Sequence, residues 1–374
     1  MRSRPEHHPA PLLPAALLAV LLVAGCSHVA YYAQAISGHL DVMRASRPIA
    51  EVMVDPASDA TLREQLEQVQ AIRDFASREL ALPENHSYRT YADLERPYVV
   101  WNVFAAAELS LDPLRWCLLM VGCVSYRGYY DRLDAERFAA ELRQQGYETF
   151  IGGVPAYSTL GHFADPVLNT FLRLGTLEVA RTVFHELAHQ LVFVPGDTQF
   201  NESFATAVEN EGMRRWMMVR ASAEQRSVFA TQRARQAALA GLMHAYRKEF
   251  AALYASDRTA DQQRVAKLLL FSALRGDYAD LKASWGGYTG YDTVFDDQLN
   301  NARLVALALY SELVPAFEAL LAECRQDLPL FYQRVATLAA LDADSRRAAL
   351  TRLLVTASDS VEESADIAAD TAGE

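Results

Sequence analysis

The chain has 374 residues, of which 51% are apolar and 22% charged, with a formal net charge of −12 at pH 7. That length and apolar content suit one large core or two ordinary ones and exclude a disordered or fibrous chain. The acidic balance argues against a nucleic-acid partner, because phosphate recognition needs a concentrated basic face.

At the N-terminus Arg2 and Arg4 precede an apolar stretch over residues 11–24, which runs into Leu21-Leu22-Val23-Ala24-Gly25-Cys26. A basic start, an apolar middle and small residues before a cysteine make a secretory signal of the bacterial lipobox kind. Cleavage then precedes Cys26, and its sulfur and new amino group are acylated. An ordinary cleaved signal or a short buried segment is the plainer alternative. Residues 1–25 are set apart as a signal peptide. The mature chain is expected in the cell envelope, held to a membrane through Cys26 and facing the periplasm; Ser27 is compatible with outer-membrane sorting in a Gram-negative host. No later apolar run approaches the roughly 18 to 20 uncharged residues that cross a bilayer as a helix. Of the other cysteines, Cys117 and Cys123 are the natural disulfide pair in an oxidising compartment, since a tight hairpin closes the gap between them. Cys324 reads as a buried thiol.

From residue 31 to about 82, apolar residues recur every three or four positions, as in Leu62, Leu66, Val69, Ile72 and Phe75, which predicts two helices stopped by Pro83. Residues 98–104 and 117–126 are β-rich, and a helix follows over 135–145, ended by Gly146. Residues 148–159 read as an edge strand broken by glycine and proline. From 166 to 354 the pattern is helical, with interruptions at Pro195-Gly196, 257–261 and 285–297. Residues 357–374 carry acidic groups without Lys or Arg, which predicts a disordered tail. The expected fold is α+β and mostly helical, with a small sheet before the helix that carries the histidines. It spans 26–356 as one domain, or as two lobes over about 26–165 and 166–356.

Within residues 176–194, Ala180, Val183, Leu187 and Leu191 form an apolar stripe, Thr176 can cap the start, and Pro195-Gly196 follows the end. His185 and His189 lie one turn apart off that stripe, so both imidazoles can point at one position, an arrangement suited to Zn²⁺. Glu186 cannot complete the chelate. Its offset leaves it able to take a proton from a water attacking a carbonyl. After a loop over 194–200, a second helix begins at Asn201 and sets Glu202 and Glu209 two turns apart on one face. An antiparallel return brings Glu202 to the histidines as third ligand, leaving the fourth zinc position for water, as a catalytic site requires. One zinc per chain is expected.

The strings HELAHQ and NESFATAVE resemble the gluzincin peptidases, and closely resemble the HELAHQ and NEGFAxxxE elements of zinc aminopeptidases of the M1 type. Twelve residues separate His189 from Glu202, fewer than the usual gluzincin interval, and the GAMEN motif of that family is absent. With the lipobox, the tyrosines before His162 and the Asn300-Asn301 element, the chain resembles the predicted aminopeptidase lipoproteins of proteobacteria over nearly its whole mature length. The resemblance implies a zincin-like fold in which His185, His189 and Glu202 bind zinc and Glu186 is the general base. It implies that Glu209 supports the ligands from behind, with Asn201 beside Glu202. A peptide substrate would lie along an edge strand near the metal, here at Ala156, Tyr157 and Ser158. A tetrahedral intermediate also needs a hydrogen-bond donor; Tyr291 is the candidate over Tyr288, with plain packing of their loop as the alternative. His162 reads as a structural hydrogen-bonding residue. The expected activity is aminopeptidase, the alternatives being an endopeptidase with the same centre or a non-catalytic envelope scaffold.

Overall fold

A computed structural model describes residues 13–118, 121–309 and 312–354 of the chain. It divides into two units, residues 1–44 and 45–374. The first unit is made by helix α1 (Leu13–Ala45), which contains Cys26. Arg2, Arg4 and the acidic stretch 357–374 lie outside the described residues. Among the described residues no helix is long and apolar enough to cross a membrane.

The second unit opens with β1 (Arg47–Pro48), α2 (Ile49–Val54) and α3 (Ala60–Leu80). Asp59 starts α3 by accepting the Leu62 N–H at 2.7 Å, satisfying one of the donors a helix start leaves open. Leu66, Val69, Ile72, Phe75, Ala76 and Leu80 recur at helical spacing and are all buried. The helix ends in Ala81, at a left-handed φ of 52°, with Pro83 just beyond, as helix stops favour. The strands are β2 (Thr90–Ala92), β3 (Val100–Ala107), β4 (Trp116–Leu118), β5 (Gly122–Val124) and β6 (Arg127–Tyr129). After α4 (Arg132–Gln144) come β7 (Tyr147–Val154) and β8 (Val167–Leu168).

The central sheet has the order β6-β3-β7, both pairings antiparallel, with β3 and β7 in register from Val100↔Val154 to Ala107↔Tyr147. A second small sheet is β1-β2-β8, and β4-β5 is a separate hairpin closed by a Cys117–Cys123 disulfide between directly paired residues. Cys324 is a buried free thiol. The edge strand stops at Val154, earlier than the sequence pattern suggests. Pro155 has no N–H to continue a ladder, and residues 155–159 run as a loop.

The helical remainder is α5 (Asn169–Leu172), α6 (Thr176–Ala188), α7 (Thr198–Arg220), α8 (Ala223–Tyr254) and α9 (Ala260–Ser284). A 3₁₀ turn (Asp292–Val294) and α10 (Asn301–Ala308), α11 (Val314–Glu323) and α12 (Leu328–Ala339) follow. Helices α4 and α10 both pack on β3 and β7. Burial accordingly runs unbroken through β3 from Asn102 to Ala106, where a one-sided strand would alternate. Asn301 locks this layer: fully buried, its Nδ2 donates to the carbonyls of Ala107, Glu108 and Ser110, and its backbone N–H to Glu148 Oε2 at 2.7 Å. The architecture is thus α+β and mostly helical, with the sheet upstream of α6.

Candidate metal centre

The site is built on α6 and α7, which pack against each other as a helical hairpin. Gly175, at φ 94°, occupies the N-cap of α6 and supplies no side-chain cap, so Thr176 lies inside the helix and does not cap it. Val179, Ala180, Val183, Phe184, Leu187 and Ala188 are buried. Leu191 falls past the helix end. Helix α7 starts three residues before the sequence pattern suggests, at Thr198, because Asp197 accepts the Phe200 N–H at 3.1 Å as its N-cap.

The nine residues between the two helices, 189–197, are held from three sides. Asn201 folds back to pair both its amide groups with the backbone of Val194, at 2.8 and 2.9 Å. The disulfide hairpin abuts the same link: Gly196 N–H donates to the Val121 carbonyl at 2.9 Å, and a Cβ at Gly122 would lie 2.7 Å from Gly196 N. Arg346 joins Asp197 Oδ2 at 2.9 Å. The short connection fixes how far α7 can slide along α6, and therefore where Glu202 meets the histidines.

His185, His189 and Glu202 each turn one donor atom to a common point, all within 4.8 Å of one another. Glu202 Oε2 is 3.2 Å from His185 Nε2 and 3.7 Å from His189 Nε2. Ligands at tetrahedral angles and 2.0–2.1 Å from a zinc ion stand about 3.3 Å apart, so the donor set and spacing fit that ion. Behind it, His185 Nδ1 pairs with Glu209 Oε2 at 3.2 Å, and Arg181 donates to Glu209 Oε1 at 2.7 Å. A carboxylate on the far nitrogen of a ligating imidazole fixes its tautomer and tilt.

The electrostatics follow from burial and pairing. Burial alone lowers the His185 pKa, but its bonds to Glu202 and Glu209 prevail and hold it well above the usual histidine value. Burial pushes Glu202 up, while His189 and His185 draw it down to about 2. Glu209 is lowered by His185 and Arg181 against its own burial. Glu186, one residue after His185, is raised by burial, with both histidines opposing. No hydrogen bond from a described residue holds its carboxylate.

Other sequence candidates fall elsewhere. Asn201 braces the α6–α7 link and does not reach the ligands. Ala156, Tyr157 and Ser158 lie in the loop after β7, whose Thr159 N–H donates to Asp165 Oδ2 at 3.0 Å. Tyr291 packs edge-on against Trp285 and Tyr288, and the charges acting on it are those of Tyr288, Arg181, Arg235 and Glu178. His162 is exposed, and among the described residues it bonds only through its backbone N–H, to Thr159 O, contrary to a structural role for its imidazole. Asn300 caps α10, and with Asn301 it pins that helix to the sheet. Three residues without any local motif also belong to the site's surroundings: Arg181, Tyr88 and Asp165. Arg181 had a weak signal, one turn before His185; the other two had none.

Among curated proteins and among solved structures, no match to the chain is found. One family model matches it over residues 30–350. The chain therefore belongs to the family described as "Putative aminopeptidase".

Proposed function

We propose that the chain is a zinc-dependent aminopeptidase. The observation that carries this reading is the convergence of His185, His189 and Glu202 within 4.8 Å, with Glu186 as an untethered, half-buried carboxylate next to His185 in the chain. When bound, zinc supplies Lewis-acid polarisation of the scissile carbonyl and activation of a water. Glu186, its pKa raised by burial, takes the proton of the attacking water and passes it to the leaving amine. His185 is kept in one tautomer by Glu209, and Arg181 holds Glu209 in place. The loop carrying Ala156, Tyr157 and Ser158 is the proposed substrate cradle and Tyr291 the proposed donor to the tetrahedral intermediate. The aminopeptidase specificity rests on the family. The lipobox at Cys26 supports an envelope protein lipid-anchored towards the periplasm, with peptides and not nucleic acid as its partners.

The test joins metal analysis to hydrolysis by the form starting after Cys26. One zinc per chain and cleavage of free-amino but not N-acetylated peptides is the expected result. Equal cleavage of both makes the chain an endopeptidase, and neither zinc nor hydrolysis makes it a scaffold. Glu186→Gln should keep zinc and lose hydrolysis by about a hundredfold or more; full activity in that variant would remove Glu186 from the mechanism.

A further inference from the structure

Of the three holds on the α6–α7 link, two are side-chain bonds from the helices themselves and the C-terminal segment: Asn201 on Val194 and Arg346 on Asp197. The third depends on a covalent bond that redox chemistry can open and close. Cys117 and Cys123, six positions apart, are disulfide-bonded, and the two residues that meet Gly196, Val121 and Gly122, both lie inside the loop so closed. The Gly196 N–H donates to the Val121 carbonyl at 2.9 Å, and the Gly196 carbonyl accepts from Arg115, just before Trp116, at 3.2 Å. Gly196 stands at a φ of 83°, and a Cβ there would lie 3.5 Å from the backbone nitrogen of Cys123. The link between the metal-binding helices thus rests on the disulfide-closed backbone itself.

Little besides the disulfide shapes the tip of that hairpin. Strands β4 and β5 pair over three residues each and join no third strand among the described residues, and an isolated two-stranded ribbon is marginal in water. The base is held independently: the Leu114 N–H donates to the Ala105 carbonyl at 2.8 Å, Trp116 meets Phe138 edge-on, and Val124 is buried. Opening the bond therefore leaves the base in place and frees the segment that carries Val121 and Gly122. The bond is also within reach of a reductant, because Cys117 is exposed. Cys324, the free thiol, is buried.

We propose that the Cys117–Cys123 disulfide is a thiol–disulfide exchange site whose redox state sets the metal affinity of the centre. The reactant is a dithiol. Its thiolate attacks Cys117 Sγ, the S–S bond breaks and Cys123 leaves as thiolate; the second thiol of the reductant then displaces Cys117 from the mixed disulfide. The chain gains two electrons and two protons, and the reductant departs as a disulfide. With the loop open, Gly196 no longer meets a fixed carbonyl, and the connection from His189 to Glu202 ceases to hold Glu202 at one height along α6. The competent arrangement of the three donor atoms is then less populated, and apparent affinity falls by that fraction. Linkage makes the coupling reciprocal: bound zinc makes the disulfide harder to reduce by the same factor. The proposal rests on the metal reading of the site.

The test compares three forms of the full chain: oxidised, reduced with dithiothreitol and freed of it under nitrogen, and the double variant Cys117→Ser with Cys123→Ser. Zinc affinity in chelator competition should be about tenfold lower in the reduced chain and in the double variant than in the oxidised chain. Treating the double variant with dithiothreitol should change nothing further, which separates this bond from Cys324. A second readout needs no metal: in the metal-free chain, reduction should speed hydrogen exchange at the amides of 189–197, Gly196 above all, and leave α3 and β3 unchanged. Equal zinc affinity in the two redox states overturns the proposal. So does unchanged exchange at Gly196, or exchange that quickens throughout the chain, since the bond is then a general staple. If the oxidised chain binds no zinc, the metal reading fails, and the exchange comparison alone decides whether the bond governs the link.

Discussion

Asp165→Asn probes the electrostatics around Glu186, on which the Asp165 charge acts. Asp165 is 2% exposed, and burial pushes its carboxyl from the ordinary 3.8 to about 6, against the lowering pull of its Thr159 bonds. The folded chain therefore holds a proton that the unfolded chain releases. Below pH 3.8 both states are protonated and the group imposes no penalty. As pH climbs to about 6 stability is lost, and above that the buried carboxylate weakens the fold by a constant amount, on the order of 3 kcal/mol. Asparagine does not ionise. Its second amide proton adds a cost of about 1–3 kcal/mol if unpaired, but that cost does not change with pH. The stability of the variant minus that of wild type should consequently rise by on the order of 3 kcal/mol between about pH 4 and about pH 7. Urea unfolding followed by circular dichroism, with a chelator present so that metal binding does not enter, measures this difference. Parallel stability–pH curves for the two proteins would refute the reasoning.

Glu209→Gln keeps the shape behind His185 but removes the charge that orients its imidazole, so zinc affinity should fall about 10- to 100-fold in chelator competition; unchanged affinity would show that Glu209 serves only Arg181. Gly122→Ala places a Cβ 2.7 Å from the backbone nitrogen of Gly196 at a φ of +75°. It should lose at least about 1–3 kcal/mol in urea unfolding and weaken zinc binding as well, because Gly196 lies in the link between His189 and Glu202. Asn301→Ala strands three carbonyls in a fully buried position and should cost on the order of 3 kcal/mol while sparing zinc content in the folded fraction.

The ligand helix was legible because its information is local. Two histidines four apart on one face converge in any α-helix, and the apolar stripe around them forces that face towards a neighbour. The disulfide was legible for the same reason: the spacing of Cys117 and Cys123 suits a hairpin and little else. Boundaries were less so. Thr176 has the chemistry of a cap but Gly175 takes the position, and Asp197 starts α7 three residues before Asn201. Pro155 ends the edge strand, so Ala156, Tyr157 and Ser158 lie in a loop whose path depends on what it packs against.

Sequence alone thus determined which residues gather at the candidate site: His185, Glu186 and His189 by helical geometry, with Glu202 and Glu209 two turns apart on the next helix. Tertiary structure alone decided how they are supported. Arg181 reaches Glu209 across a helix pair, the disulfide hairpin braces Gly196, and the charge of Asp165 acts on Glu186 from a segment about twenty residues away in the chain. Spacing within one helix fixes direction through a repeat of 3.6 residues per turn. No such rule relates residues whose proximity comes from the packing of separate loops, and for these only the folded chain carries the information.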